Sequence, residues 1–252
     1  MSSAPGWRVA GTSVAGPCHA NDDCQDRHRV QVTPGGVLIA LVSDGAGSAK
    51  FGGEGADLLC VHVANALALH LGKGKPKAVD AQALARAVDD GIAAARTAAE
   101  ALGAEQGVGL AAFHATLVGA VVVPKKGGLF FHIGDGAALA VAPESERWLM
   151  SAPRNGEYAD TTYFFTEPDW RDHLRFSAIE PGYDTVFVMS DGVTELGLQG
   201  AEPHMPFFEP IGRFLAGASR EEGELALRAT LDGEAARGRS NDDKTLVWAQ
   251  AR

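Results

Sequence analysis

The chain has 252 residues, 46% of them hydrophobic and 21% charged, with a formal net charge of −10. That size and apolar content suffice for one large core or two small ones, and the excess of carboxylates disfavours nucleic acid and anionic lipid, whose phosphates are normally met by basic patches. No run of about 18 apolar residues occurs, and the opening Met-Ser-Ser-Ala-Pro-Gly-Trp-Arg has no basic segment followed by an apolar one, so neither membrane span nor signal peptide is expected and a cytoplasmic location is.

In chain order, β-forming runs bounded by Gly, Pro, Asp or Asn predict strands over residues 7–12 and 37–42. Apolar residues at three-to-four spacing then predict helices over 56–71 and 78–102. Strands follow over 115–123, 129–133 and 137–141, and the aromatic, aperiodic stretch 154–176 reads as a long loop or flap of the kind that is usually functional. A strand over 185–189, a helix over 220–237 with Glu221 and Glu222 in its first turn, and a strand over 245–249 complete the chain. No repeat or linker divides it, so one domain of two sheets with covering helices is expected. Cys18, Cys24 and Cys60 form no metal-type pair and are too few for a disulfide framework, which leaves them as reduced thiols.

Four apolar runs end at, or lead out of, an aspartate: Leu41-Val42-Ser43-Asp44-Gly45, Phe131-His132-Ile133-Gly134-Asp135-Gly136, Phe187-Val188-Met189-Ser190-Asp191-Gly192 and Asn241-Asp242-Asp243-Lys244-Thr245. Cys24-Gln25-Asp26 adds a fifth candidate. Any one Asp-Gly pair is ordinarily a turn, but three such pairs and a fourth aspartate, all at strand ends, point to a shared site. Carboxylates gathered there cannot all stay ionised without a cation, and oxygen ligands select hard Mg²⁺ or Mn²⁺. The residues after Asp44 do not fit an EF-hand loop, no P-loop motif is present, and no His or Cys cluster has zinc spacing. His62, His70, His114 and His132 fall in apolar helical or strand runs and read as structural. His19, in a polar N-terminal loop, is the histidine placed to meet a substrate.

These elements, in this order, resemble the metal-dependent protein phosphatases, the type-2C serine/threonine phosphatases, and most closely their bacterial branch. Cys24-Gln25-Asp26 resembles the family's Asn-Glu-Asp, Asp44-Gly45-Ala46-Gly47 its Asp-Gly-x-Gly, and Gly53-Glu54-Gly55-Ala56 the Gly-Glu-x-Ala that opens the first helix. Ala115-Thr116-Leu117, Gly134-Asp135-Gly136, Ser190-Asp191-Gly192 and Asp242-Asp243-Lys244-Thr245 resemble the later elements, the last with Asp243 where the family has Asn. Residues 155–159 fall where the family carries its variable flap.

The resemblance implies an α+β, four-layer αββα sandwich, with two antiparallel sheets face to face and helices on both outer sides. It implies that Asp44 bridges two Mn²⁺ or Mg²⁺ ions, that the Gly45 carbonyl joins one, and that Asp191 and Asp242 complete the other. Asp26 would act directly or through water, and Asp135 with Asp191 would hold a third, weaker ion. A metal-bridging hydroxide would then attack the phosphoryl group in line, with no phosphoenzyme. The implied substrates are phosphoproteins, targets of a serine/threonine kinase, and the implied state is a monomer. Asp44, Asp191, Asp242 and His19 are the catalytic candidates. The chain departs from the family at Asn21, where many members have a phosphate-binding arginine and where His19, Arg27 or Arg29 would have to substitute. Ala46 stands where some have a histidine, and Gln25 replaces Glu. The alternatives are a catalytically weak regulatory or phosphopeptide-binding module of the same fold, or a small-phosphoester hydrolase.

Overall fold

The computed structural model describes residues 6–19, 24–142, 147–154 and 162–252. Strands β1 (Trp7–Val14), β2 (Arg27–Val32) and β3 (Leu38–Ser43) precede two long helices, α1 (Gly52–Leu71) and α2 (Ala81–Gln106). Next come β4 (Leu117–Val123), β5 (Gly127–Ile133), β6 (Ala137–Ala142) and β7 (Arg147–Ser151), then the short α3 (Trp170–His173) and β8 (Arg175–Ile179). The last third holds β9 (Thr185–Met189), α4 (Asp191–Gly197), a small hairpin of β10 (Leu198–Gln199) and β11 (Glu202–Pro203), α5 (Met205–Gly217), α6 (Arg220–Leu231), α7 (Glu234–Arg237) and β12 (Lys244–Ala251).

Ten of the strands form two antiparallel sheets, ordered β1-β12-β9-β6-β7 and β2-β3-β4-β5-β8. Both lie inside the molecule, which is why strands such as β3 and β4 are buried at every position and read as unbroken apolar runs. Their alternate residues serve different layers. Ile39, Leu41, Leu117 and Val121 pack outward beneath α1 and α2, whereas Leu38, Ala40, Val118 and Ala120 face the other sheet. The layer between the sheets is rich in alanine, including Ala40, Ala120, Ala138, Ala140, Ala142 and Ala249. Beyond the first sheet, Phe187, Leu246 and Trp248 pack against Phe208 and Leu215 of α5 and Leu227 of α6. The result is the expected αββα sandwich.

Helix ends follow local chemistry. Asp80 caps α2 by accepting the Ala83 N–H at 2.9 Å, and Ser219 with Glu222 forms a reciprocal capping box at α6. The helix expected over 220–237 is two: α6 stops at Leu231, and Gly233 caps the short α7. The stretch expected as a flap is anchored in its second half, because Phe165 and Trp170 are buried under α1 and α2 and Arg96 donates to the carbonyls of Phe165 and Glu167. Residues 155–159, which carry the flap resemblance, lie outside the described residues, as does Asn21.

Candidate metal centre

The strands deliver carboxylates from both sheets to one end of the sandwich. Asp44 follows β3 and Asp135 follows β5 in one sheet; Asp191 follows β9 and Asp242 precedes β12 in the other. The Asp44 loop is pinned sideways: Asp44 N–H donates to Thr116 Oγ1 at 3.2 Å, Thr116 N–H returns to Asp44 O at 2.8 Å, and Ala46 N–H donates to His114 O at 2.9 Å. Gly45 is fixed by close approach, since a Cβ there would sit 2.3 Å from the Gly52 carbonyl carbon at the start of α1. The Gln25 amide, turned with its nitrogen toward this loop, donates to Gly45 O at 3.0 Å and Ala46 O at 3.2 Å, and a carbonyl so engaged keeps a second lone pair.

Carboxylate oxygens of Asp44, Asp135 and Asp191 lie within 4.8 Å of one another. Asp242 exerts its charge on all three, and its carboxylate also lies within 4.8 Å of Cys18 Sγ and a ring nitrogen of His19. Asp26 is buried at 1% exposure: Oδ2 accepts from Ser190 Oγ at 2.7 Å, while Oδ1 has no partner. Asp135 Oδ1 is likewise buried and unpartnered.

Desolvation, followed by the charges of Asp26, Asp191, Asp242 and Asp135, holds Asp44 well above the usual carboxylate range. Asp191 is pushed up to about 8 by burial and then by Asp135, Asp242 and Asp26. Asp26 rises to about 6, chiefly through burial, with the Ser190 hydrogen bond opposing. Asp135 is raised by burial as well. Among the described residues no ion pair offsets these groups; the five that form involve other carboxylates. Crowded carboxylates with two orphaned buried oxygens and no cationic partner are the donor set a hard divalent ion requires.

Two residues that sequence reasoning passed over organise the centre. Asp243, 2% exposed, accepts from Gly16 N–H (2.7 Å), Gln25 N–H (2.6 Å) and His19 Nδ1 (3.1 Å), tying the N-terminal segment to the Asp242 turn. Ser190 bridges Asp26 and the Thr245 N–H, which it accepts at 2.9 Å. Both were visible in the motifs, but as neighbours of an aspartate. His19 points its Nε2 at the Asp44 loop, 3.3 Å from where a Cβ on Gly47 would stand. Arg27 is committed elsewhere, donating to the Cys24 and Asp26 carbonyls, and Arg29 is exposed on β2.

Gly192 is the tightest of the glycines around the centre. A Cβ there would lie 2.1 Å from Asp243 O, backbone against backbone. Gly192→Ala is therefore expected to destabilise the fold by about 1–3 kcal/mol, the usual range for overpacking, as read from denaturant midpoints. An unchanged midpoint would show that the Asp191 and Asp243 turns do not meet this closely.

Residues 15–232 match the sequence profile of the Protein phosphatase 2C family. The chain belongs to that family. It is 33% identical over 258 residues to Serine/threonine-protein phosphatase 3 of Escherichia coli K12, with 97% of this chain and 99% of that one covered. Its fold is similar to that of serine/threonine phosphatase Stp1 from Staphylococcus aureus (TM-score 0.65, 15% identity, 100% and 98% of the two chains). It is also similar to serine-threonine phosphatase 2C from Toxoplasma gondii (TM-score 0.68, 13% identity, 100% and 96%). As a member of the 2C phosphatases the chain is an enzyme, and Asp26, Asp44, Asp135 and Asp191 fall within the matched stretch while Asp242 lies beyond its end.

Proposed function

We propose that this 2C phosphatase hydrolyses phosphoserine and phosphothreonine in proteins modified by a serine/threonine kinase, acting as a cytoplasmic monomer of one domain with a flap-like insertion near 154–176. The observation that carries the reading is the convergence of the Asp44, Asp135 and Asp191 carboxylates to within 4.8 Å, on a chain whose relative is named a serine/threonine-protein phosphatase.

Asp44, the Gly45 carbonyl, Asp191 and Asp242 would hold two Mn²⁺ or Mg²⁺ ions, with Asp26 beside them directly or through water and Asp135 with Asp191 holding a weaker third. When bound, such ions supply a water activated for in-line attack on phosphorus and offset the charge of the phosphoryl oxygens. The rest is the work of the chain. Asp243 only accepts hydrogen bonds, so His19 carries its hydrogen on Nδ1 and turns Nε2 toward the Gly47 side of the site. In its imidazolium form, with a second hydrogen on Nε2, His19 would be the group placed to give that proton to the departing serine or threonine oxygen, where Ala46 offers none, while its Nδ1 hydrogen stays on Asp243.

Turnover of p-nitrophenyl phosphate and of a phosphothreonine peptide, each with Mn²⁺, Mg²⁺ or EDTA, tests the reading. Absence of cation-dependent turnover on both would reject it, and turnover of the aryl ester alone would favour a small-phosphoester hydrolase. Peptide binding without turnover would favour a recognition module. His19→Ala is expected to slow the peptide reaction about 10²-fold, the lower range for acid–base catalysis, and to spare p-nitrophenyl phosphate, whose leaving group needs no proton. Equal losses on the two substrates would remove His19 from that role.

A further inference from the structure

One donor group at the rim of the centre differs in chemistry from the carboxylates. Cys18 Sγ, a ring nitrogen of His19 and a carboxylate oxygen of Asp242 lie within 4.8 Å of one another. The pair Cys18-His19 has no zinc spacing in the sequence, because its third partner arrives from the far end of the chain, in the turn before β12. Hard Mg²⁺ and Mn²⁺ favour oxygen, whereas sulfur, imidazole nitrogen and one carboxylate together suit Zn²⁺.

Each donor is prepared for such an ion. His19 Nδ1 is held by Oδ1 of the buried Asp243 at 3.1 Å; a carboxylate behind the ring is the usual outer support of a metal-bound imidazole and leaves Nε2 to ligate. Asp242 Oδ1 accepts the Asp243 N–H at 2.8 Å, which leaves Oδ2. Cys18 stands exposed on the single 3₁₀ turn Pro17–His19, so an ion enters from solvent. Its Sγ donates to Asn241 O at 2.8 Å, which keeps the thiol beside the Asp242 turn. Zinc bonds of about 2.0–2.3 Å set tetrahedral ligands roughly 3.5 Å apart, and rotation of the exposed Cys18 side chain closes the difference. Charge favours the ion as well. Asp242 and Asp243 bear on Cys18 and are opposed by Lys244, whose buried Nζ donates to Asp242 O at 2.7 Å. With Cys18 as thiolate, three negative charges face one positive, and a divalent ion brings the group to neutrality.

We propose that Cys18, His19 and Asp242 form an inhibitory Zn²⁺ site, completed by one water, at the edge of the phosphatase centre. Binding forms a sulfur–zinc bond and releases the thiol proton to solvent, with no change of oxidation state. A filled site occupies the His19 nitrogen that would carry the leaving-group proton and draws Asp242 away from Mg²⁺ or Mn²⁺, so zinc arrests turnover. The site stands on its own geometry; the arrest rests on the phosphatase reading above.

The test uses the full-length protein in saturating Mg²⁺. Co²⁺, a coloured substitute for zinc, is titrated while the near-ultraviolet thiolate-to-cobalt charge-transfer band is recorded. The band is expected to saturate, to be bleached by Zn²⁺, to vanish in Cys18→Ser and to persist in Cys24→Ser, whose thiol lies toward Asp26 O. Competition with a chromophoric chelator should show zinc held at least about tenfold more weakly by Cys18→Ser than by the wild type, since loss of an outer-shell support alone costs that much. Turnover of a phosphothreonine peptide should be equal in the two proteins without zinc, and half-inhibition of Cys18→Ser should need at least about tenfold more zinc. No thiolate band, a band that survives Cys18→Ser, or equal zinc affinity would overturn the site. Equal zinc sensitivity of turnover would overturn the arrest. The expected band and its loss in Cys18→Ser, in a chain that hydrolyses nothing, would uphold the site and reject the phosphatase reading.

Discussion

Asp44→Asn is expected to cut cation-dependent phosphatase turnover by at least about 10³-fold while raising the melting temperature of the cation-free protein. The two effects have one cause. Loss of groups that only orient metal ligands already costs 10–100-fold, and Asp44 lies at the centre of the set, feeling the charges of Asp26, Asp191, Asp242 and Asp135 together. The crowding that would suit it as a ligand makes it a liability when no cation is present. An amide carries no charge and donates to a neighbouring carboxylate where a carboxylate repels it. About 1–2 kcal/mol of relief corresponds to a rise of roughly 3–6 °C for a chain of this size. Asp191→Asn should behave alike. Phosphatase assays with Mn²⁺ and thermal melts in EDTA decide the matter; retained turnover, or a cation-free melting temperature that falls as it does for a core substitution, would refute the assignment.

The second large effect is an inverted pH dependence of stability. A carboxyl with an elevated pKa in the folded state binds its proton more tightly there than in the unfolded chain. Its contribution is therefore fully present below the unfolded value near 4 and is lost as pH rises through the folded value. For Asp26 and Asp191 the folded values are about 6 and about 8. In EDTA the protein should thus lose stability steadily between about pH 4 and 8, by on the order of 3 kcal/mol after allowance for the partial exposure of Asp191. Saturating Mg²⁺ should reverse the trend, because a cation takes the deprotonated forms and displaces their protons. Denaturant midpoints with and without Mg²⁺ across that range measure it. Parallel profiles would mean that these carboxylates are not the cation's ligands.

What could be read from the sequence tracks burial on both faces. Strand β9 falls where the run TVFVM predicts it, since each of its residues is interior. Strand β2, Arg-His-Arg-Val-Gln-Val, is an edge strand with no fully buried residue, so charge masked its period. Helix α5 escaped because Pro206 and Pro210 argue against helix. The first sits in the opening turn, where its missing N–H costs nothing, and the second is tolerated because Phe208 and Leu215 anchor the segment. At the site, aspartates following strands were legible one by one. The bonds that tie Asp243 to Gly16, His19 and Gln25, and Ser190 to Asp26, were not, because they join segments more than 150 residues apart, a distance that only the folded sandwich spans.

The alanine-rich layer between the sheets acts as a gauge. Ala40 and Ala120 of one sheet and Ala138, Ala140 and Ala249 of the other set how closely the two can approach, and each sheet brings its own aspartates to the centre. Thickening that layer by even a methylene or two wedges the sheets, because packed interiors do not absorb added volume. The harm would surface far from the change, as a cation requirement shifted to higher concentration with turnover at saturation largely kept. With the proposed ligands drawn from both sheets, the spacing of the smallest core side chains would calibrate metal affinity, and variation there would tune cation dependence without touching a ligand.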